Sequence, residues 1–465
     1  MRSNHLLQGF MILLISTGMV LTLQAIFGGK QMSLDDIPAW TAIDTVVPQM
    51  EELYTDDSLE GEEKWDAVEK SDQATPGKSP LSGFYTALDR AKNKTGKARI
   101  AYFGDSMIEG DLITQSLRND LQQIFGGEGV GFVPIVSQTY GFRQSIKHRF
   151  SGDWKQYSFL TPNPTKHEFG ISGELFLTEH QAAKMPGKTW VKYWGEDIYP
   201  TTQIFHKIRL FYGKQPMGNS SDNFVLVTIN EEKDTFPLNE TKTVNEVTIG
   251  DTKTAEIRLN FNIPEDLPVY GLSFEDSVGI YVDNFSSRGN SGMNLTKIPA
   301  TTLQEFHEHL DYDLIVLQFG LNVIMSNKTD YKFYENGMKK VVKHFQENMP
   351  GVDILMVSVG DKSSVINGVR QTDPSIPLIV AAQRKVADET GIAFLDLYSG
   401  MGGRNSMIKW VNSNPSLAQK DYTHPNRRGA VEVSNIVKEY LLSEYPSRES
   451  VPKPSTLAES FLLKK

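Results

Sequence analysis

The stretch ARIAYFGDS, residues 98–106, decides the fold class of this chain. It begins with a short, mostly apolar run that ends at Gly104, which is typical of a buried parallel strand. Similar runs recur later, at 314–319, 354–359 and 392–397. Amphipathic helical periodicity lies between the runs, at 113–125, 334–349, 377–390 and 429–445. Strands that alternate with helices predict a three-layer α/β fold with a right-handed, doubly wound sheet.

The interval from about Val133 to Phe274 interrupts this alternation. It has little helical periodicity and contains short alternating strands separated by Gly, Pro, Asn and Asp. The strand candidates are 204–212, 224–229, 246–249 and 255–261. We therefore predict an inserted all-β module, built as a sandwich. The α/β domain is then assembled from two separated pieces of chain.

The N-terminus contains a segment without formal charge, from Gly9 to Phe27, preceded by Arg2 and followed by Lys30. A helix of this length spans about 28 Å, close to the hydrocarbon thickness of a bilayer. It is either a signal peptide or an uncleaved anchor. The candidate cleavage sites carry Leu or Phe where signal peptidase needs a small residue, which favours the anchor. Few positive charges precede the segment and acids follow it, so we expect the bulk of the chain outside the cytoplasm.

The acidity of the chain is concentrated in one region. The chain has 47 Lys and Arg against 57 Asp and Glu, a net charge of −10. Residues 31–80 contain 13 acids and three lysines, so this region alone accounts for the whole net charge. We interpret it as a solvated tether. The remainder is neutral by count. Because the whole chain is acidic and offers no basic footprint, we expect no nucleic-acid partner. The chain has no cysteine, which excludes disulfides, thiolate metal sites and Cys nucleophiles.

The predicted organisation has six segments. They are a membrane anchor or signal segment (1–30), the acidic tether (31–80), the first part of the α/β domain (81–132), the β-sandwich (133–275), the second part of the α/β domain (276–448) and a C-terminal tail (449–465).

Two motifs carry the residue types of a serine nucleophile and its base. Ser106 directly follows the first strand run, where open α/β sheets bind ligands. Asp421 and His424 lie three residues apart, a spacing that lets the carboxylate reach Nδ1 of the ring and leaves Nε2 free for a serine. The alternative for both motifs is a turn with a helix N-cap, because Ser, Asp and Asn all cap helices.

Two further motifs supply candidate donors for an oxyanion. Asn322 follows the strand run at 314–319, and its side-chain amide is a neutral donor. The segment Arg288 to Gly292 follows an apolar strand at 278–282, and its glycines allow close approach of backbone N–H groups to a ligand. Ordinary turns are the alternative in both places.

Together these motifs resemble those of the SGNH (GDSL-type) hydrolases, over about residues 95–130 and 278–442. The resemblance implies a flavodoxin-like α/β/α domain with Ser106 as nucleophile, His424 as general base and Asp421 as its orienter. It also implies an oxyanion hole formed by the Ser106 N–H, the Gly292 N–H and the Asn322 side chain, with Gly289 as the rival for the glycine. The sequence departs from the family pattern at Val323, where an Asp is common; we expect altered loop packing rather than lost activity.

The β insertion, together with the glycine-rich stretch 127–132 before it, resembles the bacterial peptidoglycan O-acetylesterases, whose inserted module is similar to carbohydrate-binding modules. This resemblance implies a serine esterase of the bacterial cell envelope, on the periplasmic or extracytoplasmic side. Its substrate would be an O-acetylated glycan, peptidoglycan above all, and no metal or cofactor would be needed. An O-acetyltransferase with the same triad and a non-catalytic glycan-binding protein remain alternatives.

Other candidate residues receive ordinary structural interpretations. His307 and His309 lie two apart on a predicted helix and do not face each other, so a solvated face is favoured over a zinc site. Arg404 stands in a glycine-rich loop, where it would either bind an acidic group or only contact solvent. Five aromatic residues of the β module are interpreted as core, with sugar stacking as the alternative: Trp154, Tyr157, Trp190, Tyr193 and Trp194.

Overall fold

The computed structural model describes residues 79–179, 187–215, 222–325 and 330–446. The strands are β1 (Lys97–Gly104), β2 (Gly131–Pro134), β3 (Lys147–Phe150), β4 (Trp154–Ser158), β5 (Glu174–Thr178), β6 (Trp190–Trp194), β7 (Lys207–Tyr212), β8 (Phe224–Ile229), β9 (Glu232–Pro237), β10 (Asn245–Gly250), β11 (Glu256–Asn262), β12 (Val269–Glu275), β13 (Gly279–Ser286), β14 (Leu314–Gln318), β15 (Asp353–Val357), β16 (Ser363–Ile366), β17 (Val369–Thr372) and β18 (Ala393–Leu395). The α-helices are α1 (Ser82–Lys92), α2 (Thr114–Phe125), α3 (Ala300–Leu310), α4 (Lys332–Asn348), α5 (Ser375–Thr390), α6 (Leu397–Gly400), α7 (Ser406–Asn412) and α8 (Arg427–Ser443). A 3-10 turn, Ser106–Asp111, follows β1.

The α/β part is built on a parallel sheet with the strand order β13-β1-β14-β15-β18. Counted along the chain, this order is 2-1-3-4-5, the flavodoxin-like arrangement. The predicted doubly wound sheet is confirmed, and the apolar runs found in the sequence form its strands.

The alternation of side chains along β1 explains the three layers. Ala101 and Phe103 point to one face, where they join a core with residues of α3, α4 and α5. Ile100 and Tyr102 point to the other face and pack with residues of α1, α2 and α8. Because both faces of the strand are buried, the apolar run needs no polar alternation.

The β-rich region consists of two antiparallel sheets. One has the order β10-β7-β12-β5-β4, with β2 paired to β12, and the other has the order β3-β6-β11-β8-β9. Side chains from both sheets fill a single apolar core, for example Leu210 and Leu272 from the first and Val191 and Leu259 from the second. The region is therefore a β-sandwich, as predicted. The exact segment boundaries given above remain predictions.

A buried charge network joins the sandwich to β1. Arg99 of β1 donates to Glu275 of β12 (2.5 Å) and to Asp283 of β13 (2.8 Å), and all three side chains are fully buried. Arg209 of β7 also binds Glu275, at 2.8 Å. Burial alone would raise the pKa of Glu275, but the surrounding cations hold it well below its usual range. Removing one partner would leave a buried charge unpaired, which typically costs about 3–5 kcal/mol.

Several sequence predictions fall outside the described residues. The anchor or signal segment, nearly all of the acidic tether and the C-terminal tail lie there. Among the helices of the described ranges, none combines the length and the apolar character that crossing a bilayer requires.

Candidate active site

The candidate residues gather at the carboxyl edge of the parallel sheet. Ser106 follows β1 and Asn322 follows β14, the two strands between which the strand order changes direction. Gly292 lies beyond the end of β13, on the other side of β1. Doubly wound sheets bind ligands in the crevice at this switch point. The topology therefore places these three residues at the edge where a site is expected.

The structure brings Ser106, His424 and Asp421 into one hydrogen-bonded chain. Ser106 Oγ lies 2.9 Å from His424 Nε2. His424 Nδ1 lies 2.6 Å from Asp421 Oδ2. An imidazole with its proton on Nδ1 satisfies both contacts, since it donates to the carboxylate and accepts from the serine hydroxyl. This is the geometry of a nucleophile, a base and an orienting carboxylate.

Local hydrogen bonds shape the loop that carries His424. The other oxygen of Asp421, Oδ1, accepts the backbone N–H groups of Thr423 (3.0 Å) and His424 (3.1 Å). Tyr422 has a φ of +58°, a left-handed conformation that is uncommon for a bulky residue. The cap of α8 is Asn426, whose Oδ1 accepts the N–H groups of the first turn. Asn426 thus caps the helix, and the Asp421 side chain is free to contact His424.

The hairpin formed by β16 and β17 supports this loop from outside, and the sequence analysis did not identify it. The N–H of Ser363 donates to the carbonyl oxygen of Tyr422 at 3.0 Å. The guanidinium of Arg370 lies 3.8 Å from the centre of the Tyr422 ring, a cation–π contact. The signal for the hairpin was Asn367-Gly368 between two short β-prone runs, the usual sequence of a tight hairpin turn.

The carboxyl groups of Asp421 and Asp105 differ in their exposure to solvent. Asp421 is 43% exposed and His424 34%. Burial raises the pKa of Asp421, but the hydrogen bonds from His424 and Thr423 outweigh it and hold that pKa below its usual range. Burial raises the pKa of Asp105 to about 6, even though its Oδ1 accepts the Met107 N–H at 3.0 Å. The carboxyl group of Asp105, beside Ser106, is thus poorly solvated, whereas that of Asp421, beside His424, is open to water.

The predicted oxyanion donors lie together but already have acceptors. Asn322 Nδ2 donates to Asp105 Oδ2 (2.9 Å) and to the carbonyl oxygen of Asn290 (3.0 Å). The N–H of Gly292 donates to Asn290 Oδ1 at 2.9 Å. No acceptor among the described residues takes the N–H of Ser106. An oxyanion would therefore meet one open donor and two that must share or exchange their partners.

Asn290 is a component of the site that the sequence analysis missed. It is 1% exposed, and its Nδ2 is buried without a hydrogen-bond partner. The segment was interpreted only through its glycines, and the Asn between them gave no periodic or motif signal. Of the two glycines, Gly292 is buried with a φ of +92°, and a Cβ there would come within 2.9 Å of Phe319. Gly289 is exposed and has no atom within 4 Å of such a Cβ.

Val323, the departure from the family pattern, is 1% exposed and packs in the core.

The remaining candidates make structural contacts. His309 Nδ1 lies 3.0 Å from Glu246, and Arg404 donates to Gln371 of β17 at 3.2 Å. Tyr193 is fully buried and stacks on His148 at a centroid distance of 4.4 Å. Within the described ranges, no group of three or more His, Cys, Asp or Glu side chains could hold a metal ion.

The sequence of the second α/β segment carries the relationship to known proteins. Residues 267–431 match the GDSL-like lipase/acylhydrolase family. The match covers about a third of the chain and includes Gly292, Asn322, Asp421 and His424, while Ser106 precedes it. No curated protein matches the chain by sequence.

The structure is similar to that of a peptidoglycan O-acetylesterase, with a TM-score of 0.63 and 21% sequence identity. The alignment covers 79% of this chain and 97% of the other, so the shared fold includes the β-sandwich as well as the α/β domain. An acetyl xylan esterase, at 18% identity, aligns over 35% of this chain and 81% of its own with a TM-score of 0.27. At these identities the similarity concerns the fold alone.

Proposed function

We propose that this chain is a serine esterase that removes O-acetyl groups from a cell-envelope glycan, with peptidoglycan as its principal substrate. The observation that carries the proposal is the chain of contacts from Ser106 Oγ to His424 Nε2 (2.9 Å) and from His424 Nδ1 to Asp421 Oδ2 (2.6 Å). The GDSL-like family match supports a hydrolase of ester bonds. The fold shared with a peptidoglycan O-acetylesterase supports an acetylated glycan as the substrate class.

In the proposed reaction, His424 Nε2 takes the proton of Ser106 as Oγ attacks the acetyl carbonyl. The carbonyl π electrons move to oxygen, and Asp421 stabilises the imidazolium. The proton then passes from His424 to the sugar oxygen as the C–O bond breaks, which leaves an acetyl group on Ser106. A water molecule, deprotonated by His424, attacks this ester. As the bond to Oγ breaks, His424 returns the proton to Ser106 and acetate is released. The exposed position of His424 gives that water access.

The oxyanion of each tetrahedral intermediate would be stabilised at the switch point. The Ser106 N–H is available, and the Gly292 N–H and Asn322 Nδ2 would turn from Asn290 and Asp105 toward the new charge. The proposal therefore includes a small rearrangement of Asn290 on substrate binding. No step in this scheme calls on a metal or a cofactor.

The proposed reaction takes place outside the cytoplasmic membrane. A glycan of the cell envelope lies outside the cytoplasmic membrane, and the uncharged segment at 9–27 would direct the catalytic region there as an anchor or a signal. The acidic stretch at 31–80 would separate the anchor from the folded region.

Substrate and acceptor are tested together on purified cell walls. The protein is incubated with O-acetylated peptidoglycan, with the same walls after chemical de-O-acetylation and with acetylated xylan. Free acetate and acetylated sugars are then measured separately. We expect free acetate from O-acetylated walls and none from treated walls. Acetate from xylan alone would contradict the substrate, and transfer of acetyl groups to a sugar would contradict hydrolysis. Failure of Ser106 to react with a fluorophosphonate probe would favour a non-catalytic protein.

A further inference from the structure

Two large aromatic side chains are exposed on one short loop of the β-sandwich. Tyr140 is 44% exposed and Phe142 is 52% exposed, although almost all aromatic side chains of the described ranges are buried or partly buried. The loop lies between β2 and β3. Exposing large apolar side chains close together is unfavourable in water, so such a pair marks a binding surface when it lies beside a reactive group.

The loop borders the turn that carries the nucleophile. Gly110, four residues after Ser106, lies so close to Phe142 that a Cβ on Gly110 would be 3.0 Å from the Phe142 Cβ. Gly110 also has a φ of +64°, which favours glycine. The absence of a side chain at this position lets the aromatic loop rest against the 3-10 turn. The aromatic loop therefore lies against the turn that begins at Ser106.

The loop is held in place by the same turn. Ser145 Oγ donates to Asp111, the last residue of the turn, and Arg118 binds the same buried carboxylate at 2.8 Å. The N–H of Gln144 donates to the side chain of Gln115 at 3.3 Å. Within the loop, the Phe142 N–H donates to the Thr139 carbonyl at 2.9 Å. A loop anchored in this way presents its rings without a large ordering cost on binding.

The Tyr140 ring is supported from behind and a polar pair lies nearby. It makes an edge-to-face contact with Phe150 of β3, with the ring centres 5.5 Å apart and the planes at 76°. Glu109, next to Gly110, holds Arg288 in a two-point contact at 3.1 and 2.5 Å, and 43% of the Arg288 side chain is exposed. The surface around the 3-10 turn thus combines exposed aromatic side chains with charged hydrogen-bonding groups.

We propose that Tyr140 and Phe142 form a subsite for a pyranose ring of the acetylated glycan, next to the sugar whose ester is cleaved. A pyranose ring has one face of C–H groups, which packs on an aromatic ring, and a rim of hydroxyl groups, which Glu109 and Arg288 can bind. The inference rests on the proposed function, because it assigns the part of the substrate that lies beyond the ester. According to this proposal, the loop between β2 and β3 contributes to binding of the glycan and takes no part in the chemical step.

The test compares two substrates in the same variants. Phe142→Ala, Tyr140→Ala and the double variant are assayed on O-acetylated peptidoglycan fragments and on p-nitrophenyl acetate, which has no sugar. We expect kcat/KM for the fragments to fall about 10-fold in each single variant, while kcat/KM for the aryl ester stays within twofold. Phe142→Trp, which keeps an aromatic face, should retain most of the activity on fragments. Ile198→Ala removes another exposed apolar side chain of the sandwich and serves as the control.

Unchanged kinetics on the fragments would overturn the subsite. Equal losses on both substrates would also overturn it, because they indicate a disturbed active site. Failure of the proposed function gives a different result, since Ser106→Ala would then keep its activity or the wild type would release no acetate from fragments. In that case, binding of acetylated fragments to Ser106→Ala is measured by calorimetry with and without Phe142→Ala. Absent or unaltered binding would overturn the subsite independently of turnover.

Discussion

Replacing Asp421 by Asn tests how the base is held. The Asn side chain keeps an oxygen for the N–H groups of Thr423 and His424, so the loop should remain folded. The change removes the negative charge 2.6 Å from His424 Nδ1. It also places an amide that can donate against the ring, which favours the tautomer that cannot accept the Ser106 proton. The variant therefore separates the charge and tautomer effects of Asp421 from its structural role.

The expected loss of transition-state stabilisation follows from the contact between Asp421 and His424 and from the exposure of both side chains. A hydrogen bond between charged groups contributes about 1.5–3 kcal/mol. Water screens part of this contribution, because the side chains are 34% and 43% exposed. The tautomer effect adds to what remains, so we expect a total loss of about 2–3 kcal/mol in the transition state, or about 30- to 150-fold in kcat. This is less than the about 10⁴-fold loss that the same change causes in buried triads.

Initial rates on p-nitrophenyl acetate at pH 7.5 measure the effect. We expect kcat to fall and KM to change by less than about threefold, because the lost interaction acts on the transition state. Asp388→Asn, the same change on the exposed surface of α5, is the control. Asp421→Ala should lose more activity and some thermal stability, since the N–H groups of the loop lose their acceptor. A kcat of Asp421→Asn within twofold of the wild type would refute the assigned role.

Three further predictions concern the surroundings of the triad. Asn322→Leu should lower kcat for aryl acetate about 100-fold with KM little changed, because an oxyanion donor is removed; a loss confined to KM would contradict that role. Arg370→Met should lower kcat/KM about threefold, since it removes the cation–π support of Tyr422, whereas Tyr422→Phe keeps the ring and should match the wild type. Asp105 binds its proton more tightly in the folded than in the unfolded chain, its pKa being raised from 3.8 to about 6. Its contribution to stability should therefore fall by about 2 kcal/mol as the pH rises from 4 to 7. The difference in unfolding free energy between the wild type and Asp105→Asn, measured across this range, isolates that contribution, and a constant difference would contradict it.

The fold was predictable where burial dominates the sequence pattern. The strands of the parallel sheet are buried on both faces, so their apolar runs stand out without a helical period. The position of Ser106, Asn322 and Gly292 at one edge follows from the rule that the carboxyl ends of parallel strands meet. The approach of Asp421 and His424 was predictable from their spacing of three. The contact between His424 and Ser106 followed only from the family resemblance, because 318 residues separate them.

The features of the fold and site that could not be predicted depend on contacts between distant segments of chain. The role of Asn290 arises from its carbonyl oxygen and side chain facing Asn322 and Gly292, and neither contact has a local sequence signal. The hairpin of β16 and β17 does have a local signal, in Asn367-Gly368, but its two strands are only four residues each and lie between much longer helical patterns. The exposure of Tyr140 and Phe142 was not predictable, because aromatic residues in a β module are usually core and only packing decides which are not.

The central claim is that Ser106 is the nucleophile of an esterase, and the rate of acetate release by Ser106→Ala tests it most directly. Wild type, Ser106→Ala and the control Ser443→Ala, which alters an exposed serine on α8, are incubated with O-acetylated peptidoglycan, and free acetate is measured over time. The triad predicts that Ser106→Ala loses at least about 1,000-fold in rate, with its thermal stability unchanged and Ser443→Ala fully active. Release of acetate by Ser106→Ala within tenfold of the wild-type rate would contradict the claim.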